Sequence, residues 1–506
     1  MNIRPFQRVL VANRGEIAVR IIRGCHERGI EAVAVYSEAD ASALHVRMAD
    51  QAVCIGPPAS SESYLRGDHL LEVAAETGCD AVHPGYGFLS ENAGFAQKVI
   101  DAGLVWIGPP PSAIDAMGSK TAARQKMSGA GVPVVPGTLE AVHDPDEALE
   151  IGRGIGFPLM LKAAAGGGGK GMRLVFHEHE LEDALAAARS ESLKSFGDSA
   201  VYLERAILDP KHIEIQVLAD AHGNVVHLFE RDCSVQRRHQ KVVEEAPCPI
   251  LPAETRAAMG DVAVKAARAV DYVGAGTCEF LLGSDGSFFF LEMNTRLQVE
   301  HPITELITGV DLLQAQLRVA AGEPLWFTQE DLEIRGHAIE CRIYAEDSRA
   351  NFRPAPGPLD VYREPGGPWV RVDSGVVQGM EIPVHYDPMV AKLIVWGADR
   401  DAAIGRAKRA LRDYRVVGIP TSIPFFLATF EDPRFLSGKY TTGFITPEWL
   451  DGNLEPGEEA VDVGLIAAAI ARLEADLAKP SAVAEGVAES AWKRTGRWRE
   501  AARGWR

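Results

Sequence analysis

The dipeptide Asp285-Gly286 stands between two β-rich runs, Thr277-Cys278-Glu279-Phe280-Leu281-Leu282 and Phe288-Phe289-Phe290-Leu291-Glu292-Met293-Asn294. Asp-Gly at such a junction signals a two-residue hairpin turn, because both residues tolerate the left-handed backbone the turn requires. With Asp285 and Gly286 as the loop, Ser284 faces Ser287, and Glu279 lies opposite Glu292 on one face, among aromatics. Two carboxylates facing each other across a ladder repel, so one is neutralised unless a cation sits between them. Partly buried oxygen ligands favour Mg²⁺ or Mn²⁺, and Mg²⁺ commonly bridges carboxylates to substrate phosphates. Asn294, two residues beyond Glu292 on the same face, offers a third oxygen. The plainer alternative is a solvated face with two unrelated acids, since a one-residue slip would separate the pair.

Three other segments carry chemistry. Residues 157–162 read as a strand ending in Lys162, and Gly166-Gly167-Gly168-Gly169-Lys170-Gly171 follows. Successive glycines let backbone N–H groups turn toward a polyanion, and Lys162 can reach the same phosphates. The run is no P-loop, because Lys170 is followed by Gly171 and not by Ser or Thr. After the hairpin come Arg296, Gln298, Val299 and Glu300. The Arg296 fork suits a small oxyanion such as carbonate, and a carboxylate beside it suggests deprotonation of a bound oxyacid. The third segment, residues 231–241, gathers Arg231, Arg237, Arg238, His239 and Lys241 after a hairpin of residues 212–219 against 225–230. It lacks interleaved aromatics for base stacking, so it points to phosphate or carbonate rather than nucleic acid.

Along the chain, the first third alternates strand and helix: strands at 8–12, 32–36, near Ala81 and at 104–107, helices from Ile17 to Gly29, over 70–76 and from Glu91. That rhythm predicts a doubly wound parallel sheet. Its first turn, Ala12-Asn13-Arg14-Gly15-Glu16, has one glycine where a dinucleotide fingerprint has three, which disfavours an NAD site. The cluster Gly108-Pro109-Pro110-Pro111 reads as a domain boundary. Helical text over 113–130 leads into a region of hairpins and glycine loops. A block from Gly336 to about Pro447 mixes strands at 337–344 and 389–396 with a helix over 402–414. The expected domains are therefore 1–111, 112–330, 336–447 and a tail, 448–506. The tail has one amphipathic helix over 463–478, then Trp492, Trp498 and Trp505 among Lys and Arg.

Composition sets outer limits. At a typical ~150 residues per domain, 506 residues make about three domains. With 46% hydrophobic residues a large core can form. A net charge of −18 makes the chain a poor general binder of nucleic acid or anionic membrane. No apolar run approaches the ~18 residues of a membrane span, and residues 1–10 hold no stretch long enough for a secretion signal. Seven scattered cysteines with no C-x-x-C pair suggest reduced thiols and a cytoplasmic setting.

Six segments in order resemble biotin carboxylase, the ATP-grasp component of biotin-dependent acetyl-CoA, other acyl-CoA or pyruvate carboxylases, over about residues 4–447. They are residues 12–18, His83-Pro84-Gly85-Tyr86-Gly87-Phe88-Leu89-Ser90-Glu91-Asn92, the loop 166–172, and residues 230–247, 292–302 and 336–347. The resemblance implies α/β and α+β architecture: a parallel-sheet N-terminal domain, a central ATP-grasp domain with a mobile lid at about 135–205, and a mixed C-terminal domain. It places Lys120, Lys162, Gly167, Gly168, Gly169, Met172, Glu204, Ile207, His212, Gln236, His239 and Leu281 at nucleotide-binding positions. Glu279, Glu292 and Asn294 match the metal ligands. Lys241, Arg296, Gln298 and Val299 match the bicarbonate site. Glu300 matches the base and Arg342 the arginine that steadies the biotin enolate. Lys170 and Arg205 stand where relatives often have Arg and Lys, and both keep the charge.

The implied reaction uses ATP with Mg²⁺ or Mn²⁺. It makes carboxyphosphate from bicarbonate and carboxylates biotin borne on a separate carrier, while the carboxyltransferase chooses the final acceptor. No methionine is followed by lysine, so the chain is expected to carry no biotin of its own. The implied partners are a second copy in a homodimer, a biotin carboxyl carrier protein and a carboxyltransferase subunit, with no nucleic acid and no membrane. The tail either docks on a partner or is a linker remnant. Two competing readings are another ATP-grasp carboxylate–amine ligase and an inactive nucleotide-binding scaffold. The first would replace Lys241, Gln298 and Arg342, and the second would need losses among Lys120, Lys162, Glu279, Glu292, Glu300 or Arg342.

Overall fold

The computed structural model describes residues 5–138, 140–142, 144–163, 172–454 and 464–473. Gly167, Gly168, Gly169 and Lys170 lie outside them, as does most of the tail. The N-terminal strands β1 (Arg8–Val11), β2 (Glu31–Tyr36), β3 (Gln51–Cys54), β4 (Ala81–His83) and β5 (Val105–Trp106) form a parallel sheet in the order β3-β2-β1-β4-β5. Val9, Leu10 and Val11 are wholly buried, as expected for a strand covered on both faces. The helix α1 (Gly15–Glu27) turns Ile17, Ile21, Ile22 and Cys25 inward. Sequence reading missed β3, an edge strand whose residues are half-buried or exposed. The helix expected over 113–130 is in fact two, Pro111–Gly118 and Lys120–Gly129. The Ser119 side chain accepts from the Ala122 N–H and starts the second, the usual work of a serine N-cap.

Strands β6 (Leu159–Ala163), β7 (Arg173–Val175) and β8 (Val201–Arg205) make a small antiparallel sheet with β6 in the middle. Helices Pro145–Ile155 and Leu181–Phe196 cover it, around a core of its own that includes Leu159, Leu161, Leu185 and Leu203.

The main scaffold is one antiparallel sheet of eight strands. Five come from the central region: β9 (Lys211–Ala219), β10 (Val225–Arg237), β11 (Gln240–Ala246), β12 (Gly274–Leu282) and β13 (Phe288–Asn294). Three come from the C-terminal block: β14 (His337–Tyr344), β15 (Val370–Ser374) and β16 (Met389–Gly397). The order is β13-β12-β9-β10-β11-β14-β16-β15, so blocks that read as separate in sequence share one sheet through the β11–β14 pair. Residues 231–237, open to reading as a solvated charge run, belong to β10, and Arg231, Asp232 and Ser234 are fully buried. The C-terminal core packs helix Arg400–Asp413 and an aromatic group including Phe425, Phe426, Phe430 and Phe435. Trp449 and Leu454 are buried in that core too, so the compact body runs to Leu454, past the expected boundary at 447. Of the expected tail helix, residues 464–473 are described and are helical, and the rest lies outside the described residues.

The β12–β13 hairpin corrects the expected turn. Leu282 pairs with Phe288, and the Gly283 N–H donates to the Ser287 carbonyl at 2.8 Å, so Ser284, Asp285 and Gly286 form a three-residue loop. Gly286 takes the left-handed position at φ +81°, a conformation natural to glycine in such loops. The register is then one residue away from the two-residue expectation until a bulge at Leu291 restores it, and Glu279 does pair with Glu292.

Candidate active site

Strand pairing lines up four charged residues across the sheet. Arg231 on β10 is opposite Glu214 on β9, Glu214 is opposite Glu279 on β12, and Glu279 is opposite Glu292 on β13. A row of three acids with one cation at its end is unstable in a low dielectric unless further cations reach it. Lys241, brought beside the row by the tight β10–β11 turn, supplies one. Its ammonium donates to Glu214, to Glu279 Oε1 at 2.7 Å and to Glu300 Oε1 at 2.8 Å. Burial alone would lower the Lys241 pKa, but these carboxylates hold it well above the ordinary lysine value. Arg231 is fully buried and bonds Glu214, Gln216, Thr277 and Thr304, which fixes the end of the row.

Glu292 is treated differently. Burial first, and then the neighbouring Glu279, raise its pKa. Glu279 is pushed up by burial but pulled further down by Lys241 and by His212, whose Nε2 is 3.1 Å away. Among the described residues no hydrogen bond or ion pair is formed to the Glu292 carboxylate. Asn294 Nδ2 donates to Glu279 Oε1 at 2.9 Å, and Asn294 Oδ1 accepts from Arg296. Two opposed carboxylates, one with no cation bonded to it although Lys120, His212 and Lys241 stand near, with an amide alongside, fit a hard divalent cation. His212, Glu214 and Glu279 also converge closely enough to hold a metal, but Lys241 already bonds two of those three. Lys241 bonds Glu279 in either arrangement, and Glu292 is the acid of the row that it leaves unbonded.

Arg342, on β14, bridges Glu244 (Nε to Oε1, 2.6 Å) and Glu300 (Nη2 to Oε2, 2.8 Å). Both oxygens of Glu300 are thus held by cations, and the residue is wholly buried. Burial would raise its pKa, yet Lys241, Arg342 and Arg231 together keep it well below the carboxylate range. Burial raises Glu244 to about 7, partly offset by Arg342. Arg296 binds Glu91, Gln298 and Asn294, so its fork is held across the cradle by side chains from two domains.

Two cavities meet here. One, of about 550 Å³, is lined by Lys120, Lys162, Met172, Glu204, Ile207, His212, Gln236, His239 and Leu281, together with Glu279 and Glu292. These are all the described residues expected at nucleotide-binding positions. The other, of about 680 Å³, is lined by Lys241, Asn294, Arg296, Gln298, Val299 and Arg342, with Tyr86 and Glu16 from the N-terminal domain. His212, His239, Glu279 and Glu292 line both and form the shared wall. Glu300 lines neither and lies beneath the floor made by Lys241 and Arg342. His239 reaches the wall from a two-residue turn in which Arg238 and His239 adopt φ +49° and +65°. Left-handed backbone costs non-glycine residues about 1–2 kcal/mol each, strain of the kind found at functional sites. Glu204 does not present a free carboxylate: Arg124 and Lys162 both pair with it.

Sequence reasoning missed Glu214, Glu244 and Arg124 as site-forming charges, and read Arg231 only as one member of a basic run for phosphate or carbonate. The alternation His212-Ile213-Glu214-Ile215-Gln216 was the available signal, because it puts all three polar residues on one strand face.

Three family models match in succession between residues 5 and 447: "Biotin carboxylase, N-terminal domain" over 5–114, "Carbamoyl-phosphate synthase L chain, ATP binding domain" over 119–328, and "Biotin carboxylase C-terminal domain" over 340–447. The biotin carboxylase of a Nostoc species is 54% identical over 87% of this chain and 98% of its own. Biotin carboxylase 1 of Bacillus subtilis is 52% identical, again over 87% of this chain and 98% of its own. The biotin carboxylase domain dimer of Hydrogenobacter thermophilus 2-oxoglutarate carboxylase, a crystal structure in complex with MgADP, ADP and bicarbonate, is 46% identical. It matches with a TM-score of 0.85 over 90% of this chain and all of that one. The architecture, the match of every domain and the identity of these relatives agree, and the chain belongs to the biotin carboxylase family of ATP-dependent ligases.

Proposed function

We propose that the two cavities divide one reaction between them: ATP occupies the smaller, bicarbonate and then carrier-borne biotin the larger, and the γ-phosphoryl group crosses the shared wall. The observation that carries this reading is the opposed Glu279–Glu292 pair lying in that wall. A divalent cation held there by Glu279, Glu292 and Asn294 would neutralise phosphate charge. Lys120, Lys162 and His239 bind the phosphates, and Met172, Glu204, Ile207, His212, Gln236 and Leu281 form the rest of the nucleotide pocket; Gly167, Gly168 and Gly169, also expected at nucleotide-binding positions, lie outside the described residues.

Lys241, Arg296, Gln298 and Val299 hold bicarbonate. Glu300 is the base that takes its proton. In the ligand-free arrangement Lys241 and Arg342 suppress that basicity. An incoming anion shares the charge of Lys241 and Arg296, which restores it. A carbonate oxygen attacks the γ-phosphorus, the bond to ADP breaks, and carboxyphosphate forms. Positioning and fixed charge do most of the work, as in phosphoryl transfer generally. Carboxyphosphate breaks into CO₂ and phosphate, the phosphate takes the ureido N1 proton of biotin, and N1 attacks CO₂ while Arg342 balances the charge on the ureido oxygen.

The proposed setting is a cytoplasmic homodimer that serves a carboxyltransferase subunit through a biotin carboxyl carrier protein. The seven cysteines are all free, which suits a reducing compartment, and no described helix is long and apolar enough to cross a membrane. The proposed domain limits are 1–111, 112–330 and 336–454, with the tail beginning at 455. ATP turnover measured with and without bicarbonate and free biotin tests the function. Turnover stimulated by both is expected, and turnover indifferent to bicarbonate would sink it.

A further inference from the structure

One buried cation takes no part in these steps. Lys392, on β16, is fully buried. Its Nζ donates to the backbone carbonyl of Val299 at 2.7 Å and stands 3.3 Å from Glu16 Oε1 and 3.7 Å from Asp373 Oδ2. Asp373 and Arg342 are its ladder partners on β15 and β14. A buried ammonium must be compensated on every side, and Glu16 and Asp373 supply the charge. The third contact is of another kind. Val299 lies in the loop between Arg296 and Glu300, and its carbonyl would otherwise have to find a donor elsewhere. Glu16, in turn, accepts from the hydroxyl of Tyr86, which lines the larger cavity together with Arg296 and Val299. One ammonium thus touches both the loop that forms the cradle and the acid that orients the facing tyrosine.

We propose that Lys392 is a positioning residue for the oxyanion cradle. It pins the Val299 carbonyl, and with it the loop that carries Gln298 and Glu300, and through Glu16 it sets the Tyr86 hydroxyl across the cavity. Lys392 touches no substrate, and the proposal rests on the bicarbonate site proposed above.

Initial-rate kinetics on the full chain test it with Lys392→Met, Lys392→Arg and the double variant Lys392→Met/Glu16→Gln, which removes a buried cation and an acid together. Misplacing a binding group by a fraction of an ångström is costly, so Lys392→Met is expected to raise the KM for bicarbonate by about tenfold or more. The KM for ATP should stay within about twofold, because the nucleotide cavity lies beyond the Glu279–Glu292 wall. Lys392→Arg should recover part of the bicarbonate KM, and the double variant should show the same rise as Lys392→Met. An unchanged bicarbonate KM in the double variant overturns the proposal. So does an equal rise in both KM values that tracks a fall in Tm, or a double variant too unstable to bind ATP. Wild-type turnover that ignores bicarbonate would instead overturn the functional reading itself, and Lys392's role with it.

Discussion

Lys241 serves three carboxylates with one ammonium, while Glu292, a ladder step away from one of them, has no cation bonded to it among the described residues. This asymmetry sorts the acids into two groups. Glu214, Glu279 and Glu300 are each bonded by a cation of the protein, whereas Glu292 is not, and the proposed divalent cation would sit between Glu292 and Glu279. Glu292→Gln removes one charged ligand from that place, and the Mg²⁺ concentration for half-maximal ATP turnover should rise by about tenfold or more. A Mg²⁺ titration of ATP turnover checks this, and an unaltered midpoint would contradict the assignment. Glu300 shows the complementary situation: neighbouring cations hold it ionised, and in the proposed reaction it would gain basicity only as an anion comes to share them.

At the scale of elements, the hairpin shows how a correct pairing can follow from an incorrect turn. The Asp-Gly signal located the bend, but the loop has three residues, and only the bulge at Leu291 returns Glu279 to Glu292. Gly286→Ala forces an alanine into left-handed backbone and should lower stability by about 1–2 kcal/mol in urea unfolding. The Mg²⁺ midpoint should stay in place, because the bulge lies between the turn and the acids; a shifted midpoint would mean that the turn, not the bulge, sets the register. What was legible follows from local pattern. Strand and helix rhythm, the hairpin and the run of residues 296–300 are each written within a few neighbours. What was not legible is built by distant partners. Glu244 and Arg342 are 98 residues apart, Lys392 and Val299 are 93 apart, and no local spacing records either contact. The Ser119 cap is hard to read for another reason, since a single capping serine interrupts helix-forming text that is otherwise continuous.

For the molecule as a whole, the shared eight-stranded sheet makes central and C-terminal blocks one mechanical unit, and Glu245 helps join them. Its carboxylate, on β11, meets His337 at 2.6 Å on β14, Arg400 at 2.7 and 3.0 Å, and Tyr440. Burial would raise its pKa, but the bonds from His337 and Arg400 bring it down to about 2. A carboxyl depressed in the folded state adds stability above its unfolded value of about 4.5, and that stability drains away as pH falls toward 2. Glu245→Gln, which leaves the largely buried Arg400 without its carboxylate, should cost about 3–5 kcal/mol at pH 7. The gap between the two urea midpoints should narrow as pH falls from about 4.5 toward 2; a gap independent of pH would mean that the charge on Glu245 is not what joins the blocks. In the proposed reaction, which draws on cavities, wall and cradle together, a bicarbonate oxygen becomes bonded to the γ-phosphorus. Turnover with ¹⁸O-labelled bicarbonate, followed by mass analysis of the released phosphate, reads that bond directly. One labelled oxygen is expected in each phosphate, a transfer that Glu300→Gln abolishes along with turnover, whereas label-free phosphate from bicarbonate-stimulated turnover would rule that bond out.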